Sequence, residues 1–179
     1  MRWARKNFLV HLLNEGGRVT PIEDINVVGV DPGLVHTGVV GISISFPAKT
    51  IRVSDEIVLG PDPQGVKDFM AGLNIQHVYI EGYRTRGQFN TNDRMVRAVQ
   101  EMKAGLPKSV VVPNMGIKKV VKPPLLSLLG LTNFRTSNHR DLESAARILV
   151  LGMLKDGFEN HVIADIVRDN LEGRKWDVR

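Results

Sequence analysis

The sequence predicts an α/β domain, a mixed sheet flanked by helices, and three observations carry that prediction. Strand-like and helix-like periodicities follow one another as three strands, a helix, a strand, a helix, a strand and then helices. Two of the apolar runs, "INVVGVD" and "HVYIE", close on the acids Asp31 and Glu81. The chain of 179 residues contains no cysteine and is 42% hydrophobic, which is enough to bury a core without covalent staples.

Taken in order, "INVVGVD" (25–31) is β-branched and apolar on both faces, as a strand buried on both sides should be. After a Pro-Gly turn, "TGVVGISISF" and "KTIRVSDEIVL" read as two further strands. "DPQGVKDFMAGLN" reads as a short helix with Pro63 near its start and Gly72 near its end. "HVYIE" is a fourth strand, followed by the polar loop "GYRTRGQFNTN". In "DRMVRAVQEMKAG" the residues Met95, Val96, Val99 and Met102 share one helical stripe. "SVVVP" is a fifth strand and "KPPLLSLLG" a short helix entered through its prolines. Ser137 or Asn138 can cap the last long helix, "HRDLESAARILVLGMLKDG", which stops at Gly157. The expected division is an N-terminal extension over 1–24, one domain over 25–167 and a charged tail over 168–179. Within the extension, Trp3, Leu9, Leu12 and Leu13 are spaced for an amphipathic helix.

The missing cysteines exclude disulfides and thiolate metal sites and fit a reducing, cytoplasmic setting. The longest apolar stretches, such as "ARILVLGML", fall well short of the ~20 residues that span a bilayer, so no membrane partner is expected. The start of the chain reads as a mature protein and not as an export signal. The formal charge of +5 is regional: from Arg84 to Lys122 there are nine basic residues against two acidic ones. A cluster of this kind is the footprint of a phosphate backbone, or simply a well-solvated face.

A charge at the end of a buried strand calls for a reason. In an open α/β sheet the carboxyl ends of neighbouring strands share one crevice, where ligands bind. If the first and fourth strands are neighbours, Asp31 and Glu81 converge there, and Asp141, in the first turn of the last long helix, can join them. Like charges at short range raise one another's pKa, and a hard divalent cation such as Mg²⁺ or Mn²⁺ relieves the repulsion through oxygen ligands. Each acid alone also has a plain structural role: an Asx turn for Asp31, a solvated strand end for Glu81, a helix-dipole partner for Asp141.

The sequence "GVDPGLVHTG", then "VYIEGY", then a helix beginning "HRDLESAARILVLG", resembles the RuvC-type Holliday junction resolvases, in particular their shorter phage-encoded members. The resemblance runs from about Asn26 to Gly157 and is most specific at D-P-G-x-x-x-T-G. It implies an RNase H-like fold, with a five-stranded mixed sheet whose first strand is central and whose fourth lies beside it. It also implies that Asp31, Glu81 and Asp141 are metal-binding carboxylates, with two Mg²⁺ or Mn²⁺ ions per site. Ser144 stands where the family often has a further acid. Glu143 is two residues from Asp141, a rotation of about 200° along a helix, and is expected to point elsewhere. "PNMGIKKVVKPP" resembles the stretch that brings a lysine to the scissile phosphate, which favours Lys118, then Lys119, with Lys122 the nearest candidate for a second lysine.

The same resemblance assigns DNA contacts to the loop after Glu81, where Tyr83 or Phe89 would stack on an unpaired base and Arg84 and Arg86 would meet phosphate. His139 is a further candidate for a water or phosphate contact. The implied partners are four-way or branched DNA and a second copy of the chain in a homodimer, with the helix at 92–104 as the dimer element. The implied activity is metal-dependent, paired nicking of branched DNA. An RNA-processing nuclease of the same fold and a non-catalytic DNA-binding module stand as the alternatives.

Overall fold

The computed structural model describes residues 24–83, 93–136, 140–155 and 160–179. Six strands form one sheet: β1 (Asp24–Asp31), β2 (His36–Ser45), β3 (Thr50–Leu59), β4 (His77–Gly82), β5 (Val110–Pro113) and β6 (Asp177–Val178). The helices are α1 (Pro63–Met70), α2 (Asp93–Gly105), α3 (Ile117–Val120), α4 (Pro123–Leu128), α5 (Arg140–Lys155) and α6 (Asn160–Leu171). The strand order is β5-β4-β1-β2-β3-β6. Strands β1, β2 and β3 form an antiparallel meander, while β4 pairs parallel with β1 and β5 parallel with β4. The first strand is therefore central with the fourth beside it, as expected.

Strand alternation sorts the core onto two faces. Ile25, Val27, Val40, Ile42, Tyr79 and Val112 pack with α5 and α6 in the larger cluster. Val28, Val30, Val39 and Ile80 pack on the other face with Val66 of α1 and Met102 and Leu106 at the α2 end. Because α5 lies between the sheet and an outer layer, it is buried nearly all round, from Leu142 to Leu154. Glycine makes its close approach possible: a Cβ at Gly29 would lie 2.7 Å from that of Leu149, and Gly152 sits directly against the Tyr79 ring. Helix α1 begins as its sequence predicts, Pro63 following an Asp62 carboxylate that accepts from the amides of Gln64 and Gly65.

The C-terminal third corrects two expectations. The sheet has six strands instead of five, because β6 adds parallel to β3 at Thr50 and Ile51. Residues 168–179, expected as a charged tail, hold the last turn of α6 and β6. Trp176 packs edge-on against Phe46, and the Asp169 carboxylate collects Lys49, Arg174 and the Trp176 indole. Charge there is a lattice of ion pairs around a docked strand. Among the described residues, no helix is long and apolar enough to cross a membrane.

Candidate active site

The period of two along each strand decides which side chains face α5. On β1, Gly29 touches α5, so Asp31, two residues on, points to the same face. On β4, Tyr79 packs under Gly152, so Glu81 follows it. On β5, Val112 belongs to the α5-side core, so Asn114, just past the strand end, shares that side. Register then brings the acids level: Val30 pairs with Ile80, and Asp31 and Glu81 are the next residues along.

The glycine motif brings in the helix. Asp31 pairs with Gly38 across the β1–β2 ladder, and Gly38 lies against the backbone of Asp141 and Leu142. A side chain at 38 would displace the first turn of α5. Thr37, fully buried, pins the intervening turn, its hydroxyl donating to the Gly60 carbonyl at 2.7 Å and accepting from the Gly33 amide at 3.3 Å. The D-P-G-x-x-x-T-G pattern thus spells a strand end, a pinned turn and a helix seat.

At this junction Asp31 hydrogen-bonds Glu81, and its carboxyl pKa is pushed up to about 9. Burial is the first cause, followed by the Glu81 hydrogen bond and the negative charges of Glu81 and Asp141; a hydrogen bond with Ser144 acts in the opposite sense. Among the described residues, no three His, Cys, Asp or Glu side chains are already drawn together as a metal-holding group. The arrangement is a hydrogen-bonded pair of carboxyls, with Asp141 close enough to act on it by its charge. A proton held well above an acid's ordinary pKa is what a divalent cation would replace, and an all-oxygen donor set suits Mg²⁺ or Mn²⁺.

A further residue joins the site. Asn114 Nδ2 donates to Glu81 Oε1 at 2.7 Å. Asn114 lies within the "PNMG" segment, and its signal in the sequence was the same alternation: two residues beyond an inward-facing valine at a strand end.

The other expected residues fall as follows. Ser144 meets Asp31 through its hydroxyl. Glu143 is exposed and pairs with Arg147 at 2.5 Å. Lys118 and Lys119 are exposed on α3, directly beyond β5, and Lys122 is exposed just before α4. Tyr83, one residue beyond β4, is 42% exposed and does not close over the core. Arg84, Arg86, Phe89, His139, the Ser137 or Asn138 cap and the 1–23 segment lie outside the described residues.

Comparison of the whole fold finds RuvC of Thermus thermophilus, at a TM-score of 0.52 and 17% identity, over 71% of this chain and 92% of that one. The fold is that of RuvC. The same bacterium's RuvC in complex with Holliday junction substrate gives a TM-score of 0.53 at 15% identity, covering 85% of this chain and 98% of that one. No protein-family model and no curated protein matches the sequence. The RuvC-type, RNase H-like architecture is therefore held at low sequence identity, and β6 is this chain's small addition to the five-stranded sheet expected from its sequence.

Proposed function

We propose that the protein is a divalent-metal-dependent endonuclease that resolves Holliday junctions and other branched DNA by paired nicks. The observation that carries this reading is the Asp31–Glu81 pair, with Asp141 and Ser144 beside it, at the carboxyl ends of β1 and β4 of a RuvC-type fold.

Asp31, Glu81 and Asp141, with Ser144 at the edge, would hold two Mg²⁺ or Mn²⁺ ions. When bound, such ions supply Lewis acidity that activates a water and stabilises the departing 3′-oxygen, leaving 5′-phosphate and 3′-hydroxyl ends. The protein's own part is to keep three acids from three distant stretches of chain at one crevice. Lys118, with Lys119 and Lys122 near it, adds positive charge where the phosphate gains negative charge. Tyr83 offers an exposed aromatic face to an unpaired base, and Arg84 and Arg86 follow it in the chain. A four-way junction has two-fold symmetry, so a homodimer presents two such crevices to opposing strands. Half-buried Met95 and Val96 on α2 are apolar side chains suited to that contact, while Met102 on the same helix belongs to the core.

The test is incubation of the full chain with an end-labelled synthetic four-way junction, with and without Mg²⁺ or Mn²⁺, beside a structured RNA. The expected result is symmetric nicks in the DNA junction that require the metal. Asp31→Asn should abolish nicking while leaving junction binding nearly intact. Cleavage confined to RNA would transfer the site to RNA processing, and binding without cleavage under any metal would leave a DNA-binding module.

A further inference from the structure

We propose that Asn114 sets the cation preference of this centre by confining Glu81 to a single ligating oxygen. The inference rests on the metal-centre reading above and deepens it.

Asn114 is fixed at both ends. Its backbone amide reaches the Gly82 carbonyl at 3.4 Å, extending the β4–β5 ladder one step beyond the Gly82–Pro113 pair. Its side-chain amide donates to Glu81 Oε1 at 2.7 Å. Asn114 and Glu81 are both only partly exposed, which limits competition from water for that bond. The carboxylate plane of Glu81 is thereby set by a neutral donor on the next strand.

Cations differ in how they use a carboxylate. Mg²⁺ takes near-octahedral geometry at about 2.0–2.1 Å with one oxygen from each carboxylate, whereas Ca²⁺ takes six to eight ligands at about 2.3–2.6 Å and readily chelates both. Chelation through both oxygens of Glu81 requires Oε1 to turn from, or share, the Asn114 amide. The cost falls on the larger ion and leaves the smaller one unaffected. A carboxylate ligand held by an outer hydrogen bond is also pre-oriented, which favours the ion with the stricter geometry. Asn114 carries no charge, so it selects without weakening the site's attraction for cations in general.

The experiment is titration calorimetry of the full-length protein with Mg²⁺ and with Ca²⁺, in the absence of DNA, for the wild type, Asn114→Ala and Asn114→Ser. Thermal melts of each confirm that the variants are folded. The expected result is a Mg²⁺-to-Ca²⁺ affinity ratio lowered about tenfold in both variants, at the lower end of what outer partners of metal ligands contribute. Equal losses for both ions, or no change in either, would overturn the proposal and leave Asn114 a structural residue. Failure of the wild type to bind either ion would overturn it together with the metal centre. A shifted ratio in a protein that nicks no junction would uphold Asn114 and remove only the DNA reading.

Discussion

Gly38 and the backbone of Asp141 are in direct contact: a methyl group at 38 would lie 2.9 Å from the Leu142 amide nitrogen and nearer still to the Asp141 carbonyl. Backbone atoms cannot step aside as a flexible side chain can. Gly38→Ala is therefore expected to push the first turn of α5 off the sheet, at about 1–3 kcal/mol. Urea denaturation measures that loss. On the proposed reading, nicking falls further than stability does, because Asp141 moves with the turn.

Asp31 makes stability depend on pH in the absence of divalent cations. Its carboxyl titrates near 3.8 when unperturbed and near 9 in the folded chain, so folding takes up a proton anywhere between these values. The stability it contributes is full below about pH 4 and declines as pH rises toward about 9, with a slope of at most ~1.4 kcal/mol per pH unit. Urea midpoints in chelator should accordingly be lower at pH 8 than at pH 5. Asp31→Asn should flatten this dependence and raise the midpoint at pH 8. A wild-type midpoint that stays level across that range would count against a crowded acidic pair.

Asp55 ties β3 to the segment that leads into α5. Its carboxylate accepts from the amides of Arg135 at 2.9 Å and Thr136 at 2.8 Å, and its carbonyl accepts from the Thr136 hydroxyl at 2.8 Å. Asp55→Ala is expected to cost ~1 kcal/mol, since these bonds are exposed to water. Hydrogen exchange should quicken at Arg135 and Thr136 while the amides of β1 keep their protection. Unchanged exchange at those two amides would show that the tie does not hold the segment.

Tyr83 stands outside the core at the end of β4, so its removal should cost little stability. On the proposed reading Tyr83 stacks on a base, which is worth ~1–3 kcal/mol and sets the expected loss of junction affinity for Tyr83→Ala at roughly tenfold. Tyr83→Phe should retain most of it. Gel-shift titration in chelator separates this effect from cleavage.

The sequence made the frame of the site legible because the frame obeys short-range rules. A β-branched run ending in Asp-Pro-Gly announces a strand and its turn, and an acid at the end of a second such run points to the same crevice. The Thr-Gly pair is harder to read, since Gly38 matters only through a helix more than 100 residues away. Asn114 and Asp55 act across 33 and about 80 residues; alternation from Val112 gives the face of Asn114 but not its partner Glu81, and nothing local marks Asp55. Helix α6 did leave a signal: Val162, Ile163 and Ile166 are buried and spaced along one helical face. Strand β6 left almost none, because two residues are too few for alternation and its docking depends on Trp176 finding Phe46.

The three acids come from the first strand, the fourth strand and the fifth helix. A ribosome must therefore release the chain through α5 before the crevice exists. Up to that moment an emerging chain has its basic side chains but no assembled acidic crevice. On the proposed reading, competence to break a phosphodiester arrives only with the docking of α5, so an unfinished or misfolded copy would bind without cutting.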